Sequence, residues 1–237
     1  MNLFTNLINK KKSIYIIVSA LIIALEVSAQ EEKGLEINVE ASLVSSYVWR
    51  GLYQSGASLQ PSLSASISGF TLEAWGSKGF SSAFKEFDFL LSFETGGLTL
   101  GVNDYWAGEQ GTPYFDYKEQ HLFEGSLSYH FGEKFPLTLG WNTMFFGDQD
   151  KNENGKRMFS SYFMLGYDFS VKTIECNAEV GFNPWESIYH ENFNVINVSL
   201  KASKKVTITN KFSLPLFVQA IFSPATNDVH LVFGITF

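Results

Sequence analysis

A single cysteine, Cys176, leaves no partner for a disulfide within the chain. The protein is therefore not a small scaffold stapled by cross-links. Proline is scarce, 6 residues in 237, so long stretches are free to pair as strands. Beyond residue 25 no apolar run approaches the ~18 residues that a membrane-spanning helix needs. Basic residues are outnumbered, 17 against 24 acidic, for a formal charge of −7. That balance excludes a nucleic-acid binder that works by displacing counterions from phosphates. No Cys/His cluster has zinc spacing and no glycine loop fits a phosphate. The reading calls for no cofactor, no resident metal and no catalytic centre.

Aromatic residues are abundant, 16% of the chain with 23 phenylalanines, although the mean hydropathy is close to zero. Apolar residues this numerous, yet never gathered into long runs, must alternate with polar ones. The N-terminus is the exception. Lys10, Lys11 and Lys12 precede an apolar run from Ile14 to Leu25, and Val27-Ser28-Ala29 places small residues at a cleavage site. This pattern predicts a secretory signal peptide over 1–29. Residues 30–237 then form one exported domain, more acidic still once the basic leader is gone.

Within that domain the period is two. Ile37, Val39, Ala41 and Leu43 share one face, as do Phe87, Phe89, Leu91 and Phe93, and Val229, Leu231, Phe233, Ile235 and Phe237. Successive strand residues point to opposite faces, so each segment has a greasy side and a mostly polar one. A soluble sandwich would alternate in the same way. Connection lengths favour a transmembrane antiparallel up-and-down β-barrel. About twelve strands are expected, near 36–49, 58–68, 70–76, 85–95, 98–106, 119–131, 137–146, 157–169, 173–182, 192–202, 212–222 and 228–237. Short turns such as Ser68-Gly69 and Gly96-Gly97 alternate with long polar loops, as periplasmic turns and external loops do in outer-membrane barrels. Residues 203–211 fit either a longer strand ten or a longer turn.

Parity assigns the lining of the bore: Glu40, Glu73, Glu86, Asp88, Glu94, Glu124, Glu175 and Glu179, against Arg50 and Lys201, with His130 and His230 as titratable groups. Trp75, Met144, Phe146, Tyr162 and Phe217 are expected to narrow it. Carboxylates crowded in an aqueous pore attract cations. Tyr47 and Trp49, about ten residues into strand one, are expected in an aromatic girdle at the outer interface.

The segment SSYVWRGLYQSG, with Ser46 where the pattern often carries Asp, resembles the start of the TorF-type porins, a conserved family of outer-membrane β-barrels. The C-terminal KFSLPLFVQAIFSPATNDVHLVFGITF resembles that family's closing hairpin. The resemblance implies a barrel with a pore, placed in the outer membrane of a Gram-negative bacterium. It implies partners in outer-membrane lipid and the barrel assembly machinery, which would read the terminal Phe237. It supplies no solute. The expected function is passive passage of small solutes with cation preference. The alternative is a non-conducting barrel whose loops bind a partner through Trp106, Tyr114, Phe115 and Tyr117.

Two weaker signals remain. Asp150-Lys151-Asn152-Glu153-Asn154-Gly155 matches the first half of a calcium loop, but Ser161 stands where the bidentate Glu belongs. Asp228-Val229-His230 with Glu86-Phe87-Asp88 loosely resembles the acid-oriented His of omptin proteases. No His-X-Ser of the barrel lipases occurs.

Overall fold

The structure, a computed structural model, describes residues 34–210 and 212–237. The expected signal peptide lies outside them. Twelve strands close into an antiparallel barrel: β1 (Glu36–Val44), β4 (Ser58–Ile67), β5 (Phe70–Gly79), β6 (Lys85–Thr95), β7 (Leu98–Gly108), β8 (His121–His130), β9 (Leu137–Phe146), β10 (Ser161–Val171), β11 (Ile174–Asn183), β12 (Asn194–Thr209), β13 (Phe212–Ser223) and β14 (Asp228–Thr236). Each pairs with its neighbours in sequence, and β1 closes on β14. Closure leaves the wall without an unpaired edge. Two short strands, β2 (Tyr47–Trp49) and β3 (Leu52–Ser55), form a separate hairpin.

Short turns cluster at one end. At Ser68-Gly69 both central residues take positive φ, 51° and 87°. That is the tight hairpin geometry whose twist matches the flanking strands. A side chain at position 69 would run into the Glu94 carbonyl. The ambiguous segment 203–211 extends β12 to Thr209, paired with β13 as far as Phe212. Closure is completed at the chain's last residue, where Ala41 and Phe237 exchange backbone hydrogen bonds of 2.8 and 3.0 Å.

The two faces differ as the alternation predicts. Ile37, Val39, Leu63, Leu91, Leu100 and Val102 stand exposed on the outer wall within a wider apolar belt. A contiguous apolar surface of this extent exceeds what a water-soluble monomer presents. It suits lipid, in which a closed barrel satisfies every backbone group. Inside, large side chains lie over glycines of the adjacent strand, Tyr162 over Gly181 and Phe217 over Gly234.

Two expectations need correction. Strand one stops at Val44, not 49, so Tyr47 and Trp49 leave the wall. Phe146 does not point inward. A bulge pairs Phe123 with Phe146 and Glu124 with Met144, leaving Phe145 over. That extra residue reverses parity, and Phe146 packs edge-on against Phe123 on the outer face, centroids 5.6 Å apart.

Candidate functional site

The site begins where β1 ends. Ser45 caps the seam, its Oγ accepting the Phe233 amide at 2.9 Å and its amide bonding the Phe233 carbonyl at 2.8 Å. The chain then turns into the barrel. The β2–β3 hairpin reverses at Arg50-Gly51, with φ of 51° and 81°. Gly51 is required by fit as well as by dihedral, because a Cβ there would strike the Ile196 carbonyl. Ile196 is the residue left unpaired by the bulge between β11 and β12.

The tip crosses the bore. β8 and β10 flank β9, which lies opposite β1 in the ring of twelve. Arg50 bonds Glu124 of β8 with two nitrogens, 2.6 and 2.9 Å, and donates to the Tyr189 hydroxyl at 2.6 Å. Its guanidinium lies between the rings of Trp49 and Tyr162, 4.5 and 4.7 Å from their centroids. Glu124 has no solvent exposure and Arg50 has 12%. The carboxylate also accepts from the Tyr105 hydroxyl at 2.9 Å and Asn103 at 3.3 Å. Burial holds the Tyr189 hydroxyl well above its ordinary pKa, with the Arg50 charge pulling the other way. The phenol is thus a neutral bridge, and the Arg50–Glu124 pair balances its own charge.

This arrangement corrects the girdle expectation. The Tyr47 ring meets Trp75 at 5.5 Å and its hydroxyl lies close to the Glu86 carboxylate. Trp49 meets Tyr105 at 5.8 Å and Tyr189 at 5.7 Å. Both are interior residues of the hairpin. Polar chain ends at Ser45-Ser46 free this segment from the wall, and its aromatic faces find partners across the bore. Outer-wall aromatics at the long-loop end are instead Trp106, Phe123, Phe145 and Phe146, with Tyr114 and Tyr117 folded down from the loop 109–120.

The other lining residues fall into three groups. Glu86 and Asp88 share one face of β6 beneath Tyr47. Asp88 is buried and accepts the Trp106 amide at 3.3 Å. Glu179 accepts from Tyr162 at 2.5 Å and Asn197 at 2.8 Å. Toward the short-turn end Glu40, Glu73, Glu94 and Glu175 lie on the inward face, and Lys201 covers the Phe217 ring at 4.5 Å. Asp168, which the sequence reading overlooked although its parity is inward, accepts from Asn177 at 2.7 Å. A cavity of about 300 Å³ lined by Glu73, Ser92, Ser126 and Asn142 runs up to Asn103, the donor to Glu124. A second, of about 640 Å³, is lined by Asp168, Glu175 and Lys201.

The weaker signals resolve differently. The Asp150 carboxylate is fully buried and accepts the amides of Phe159 and Ser160 at 3.1 and 3.0 Å. Asn152 Oδ1 accepts those of Asn154 and Lys156, both at 3.1 Å. These oxygens brace their own loop instead of converging on an ion. His230 lies beneath Tyr53, centroids 6.0 Å apart, while Tyr47 of the same hairpin sits on Glu86. The hairpin thus stands between the groups that a protease reading would join.

A pair on the outer wall had no sequence signal. His121 Nδ1 contacts Asp104 at 2.7 Å and Nε2 contacts the Tyr114 carbonyl at 2.5 Å, with Tyr117 stacked 4.2 Å away. The Tyr114 contact ties the loop 109–120 to the wall, while Asp104 is the His121 partner on the neighbouring strand β7.

No protein-family model and no curated protein matches the chain. Among solved structures it is similar to BamA from Haemophilus ducreyi lacking POTRA domains 1–3, at 11% identity and TM-score 0.42. That match covers 81% of this chain, which spans only 42% of the BamA chain. It is also similar to an outer-membrane channel from Pseudomonas putida F1, at 14% identity and TM-score 0.42, covering 87% of this chain and 97% of that one. The class of the molecule rests on its own wall: a closed twelve-stranded transmembrane β-barrel with an internal hairpin.

Proposed function

We propose that the protein is an outer-membrane channel of a Gram-negative bacterium, passing small solutes with a preference for cations. The observation that carries this reading is the polar bore on the short-turn side of the hairpin. Glu40, Glu73, Glu94, Asp168 and Glu175 face it, against Lys201 and, by the same parity of β12, Lys205. An excess of fixed negative charge in a confined aqueous space concentrates cations and repels anions. Lipid of the outer membrane would meet the apolar belt. The assembly machinery would read the terminal strand ending in Phe237. The TorF-type resemblance of SSYVWRGLYQSG agrees with a pore.

A second reading, a barrel that does not conduct, draws on the hairpin filling the outer half of the bore. Planar-bilayer recording separates the two. In a tenfold KCl gradient the channel reading expects a reversal potential on the potassium side, reduced by Glu73→Gln with Glu40→Gln. A reversal potential on the chloride side would overturn the cation preference. Absence of current from a barrel lacking the hairpin would overturn the channel.

A further inference from the structure

We propose that the β2–β3 hairpin is a gate that swings out of the bore, latched shut by the Arg50–Glu124 pair. The proposal rests on the channel reading above.

Three observations carry it. First, the hairpin is not part of the wall. Its ladder joins β2 only to β3, so it can move without breaking any pair among the twelve barrel strands. Second, its roots are small: Ser45-Ser46 leads in and Gly56-Ala57 leads out. These residues carry no bulk that would wedge the segment in place. Third, the tip is fixed by polar groups in a defined seat. Arg50 meets Glu124 and Tyr189, and the Trp49 and Tyr162 rings cover its faces. A buried ion pair adds little net holding energy over an apolar contact of similar volume but is strongly position-specific. Such a pair defines one closed position firmly without making departure prohibitive. The remaining contacts are side-chain packing: Val48 against the Val44–Ile221–Val232 cluster, Trp49 and Leu52 against Tyr162, Tyr189 and Ile196, Trp49 also against Tyr105, Tyr47 against Trp75 and Phe84, and Tyr53 over His230. Below the seat the bore holds a cavity lined by Thr, Ser, Asn and Glu side chains together with Leu90 and Met164. Removal of the hairpin would join that cavity to the barrel mouth.

The test uses the full barrel refolded into planar bilayers, in a Cys176→Ser background. Arg50→Ala should raise the open probability by about a hundredfold or more, because Glu124 is left charged and unpaired in the closed seat. Val48→Cys with Val232→Cys joins the hairpin to the wall cluster it packs on. Oxidation should abolish current and reduction should restore it. A third barrel, with residues 47–55 replaced by a short Gly-Ser link, should conduct constantly. Current from this third barrel together with indifference of the other two to mutation and to oxidation would overturn the gate while leaving the channel intact. No current from the third barrel would overturn both.

Discussion

The gate carries one charge, which makes its voltage response calculable. Segment 45–57 contains Arg50 and no other Lys, Arg, His, Asp or Glu. From the roots to the tip the hairpin is about four residues long, or ~13 Å at strand rise. If it swings from lying across the bore to standing in the mouth, the guanidinium moves at most about that far along the axis. Against an apolar band ~25 Å tall this is about half the field. Moving a full charge through the whole field is worth about 2.3 kcal/mol per 100 mV. The swing is therefore worth ~1.2 kcal/mol per 100 mV, or roughly a sevenfold change in the open-to-closed ratio. The sign is fixed too: a negative potential on the long-loop side draws Arg50 outward and opens the gate. Single-channel recording from barrels inserted in one orientation measures both. Arg50→Gln should flatten the voltage dependence while raising the open fraction. An unchanged slope in that variant would refute the reasoning. So would opening at the opposite polarity, or an apparent gating charge well above one, which the hairpin cannot supply.

Other regions give independent expectations. Gly181→Ala places a Cβ against the Tyr162 ring, and overpacking of this kind should lower unfolding stability by about 1–3 kcal/mol in a urea titration of the lipid-embedded barrel. His121→Phe removes the bond to the Tyr114 carbonyl, which ties the loop 109–120 to the wall beside that of Trp106 Nε1 to the Pro113 carbonyl, so trypsin should cut faster after Lys118, with the barrel itself intact. Asp148 in the external loop has its carboxyl held below the usual range, chiefly by the hydrogen bond from Lys151. A depressed folded-state pKa means that the contact helps above the ordinary carboxylate pKa and is lost as pH falls through the lower folded value. NMR titration should show that depression, and Lys151→Met should relieve it.

The wall was legible because its physics is local. An alternating segment buries one face wherever it sits, so Glu124, Glu179 and Tyr162 could be assigned to the interior without knowing their neighbours. The short turns announced themselves through pairs such as Ser68-Gly69. The hairpin was not legible for the same reason. Tyr47, Val48, Trp49 and Arg50 continue the alternation of β1, so nothing in the period marks the break at Val44. The break depends on Ser45 capping an amide of β14, nearly the whole chain away. The reversal at Arg50-Gly51 is also a weak signal, because tight hairpins usually place Asn, Asp or Gly where Arg50 stands. Phe146 shows a second limit. One extra residue at a bulge flips every later side chain, and a bulge leaves no mark in the hydrophobic pattern. Partners from loops, such as Tyr189, follow no period at all.

The balance of forces at the latch can be isolated by changing both partners. Removing one charge from a buried pair typically costs about 3–5 kcal/mol, since the other is left without a counter-ion. Replacing both by apolar groups removes that penalty. Here it cannot be neutral, because the hydroxyls of Tyr105 and Tyr189 bond to Glu124 and Arg50 and would lose those partners. Each lost bond costs about 1 kcal/mol. Arg50→Met with Glu124→Leu should therefore stay closed more than either single variant and less than the parent, with a coupling of about 4 kcal/mol or more in magnitude across the cycle. Open probabilities of the four barrels in one lipid give that number directly. Simple additivity would mean that water reaches Glu124 in the closed state, and the pair would then be an ordinary exposed contact instead of the feature that seats the hairpin.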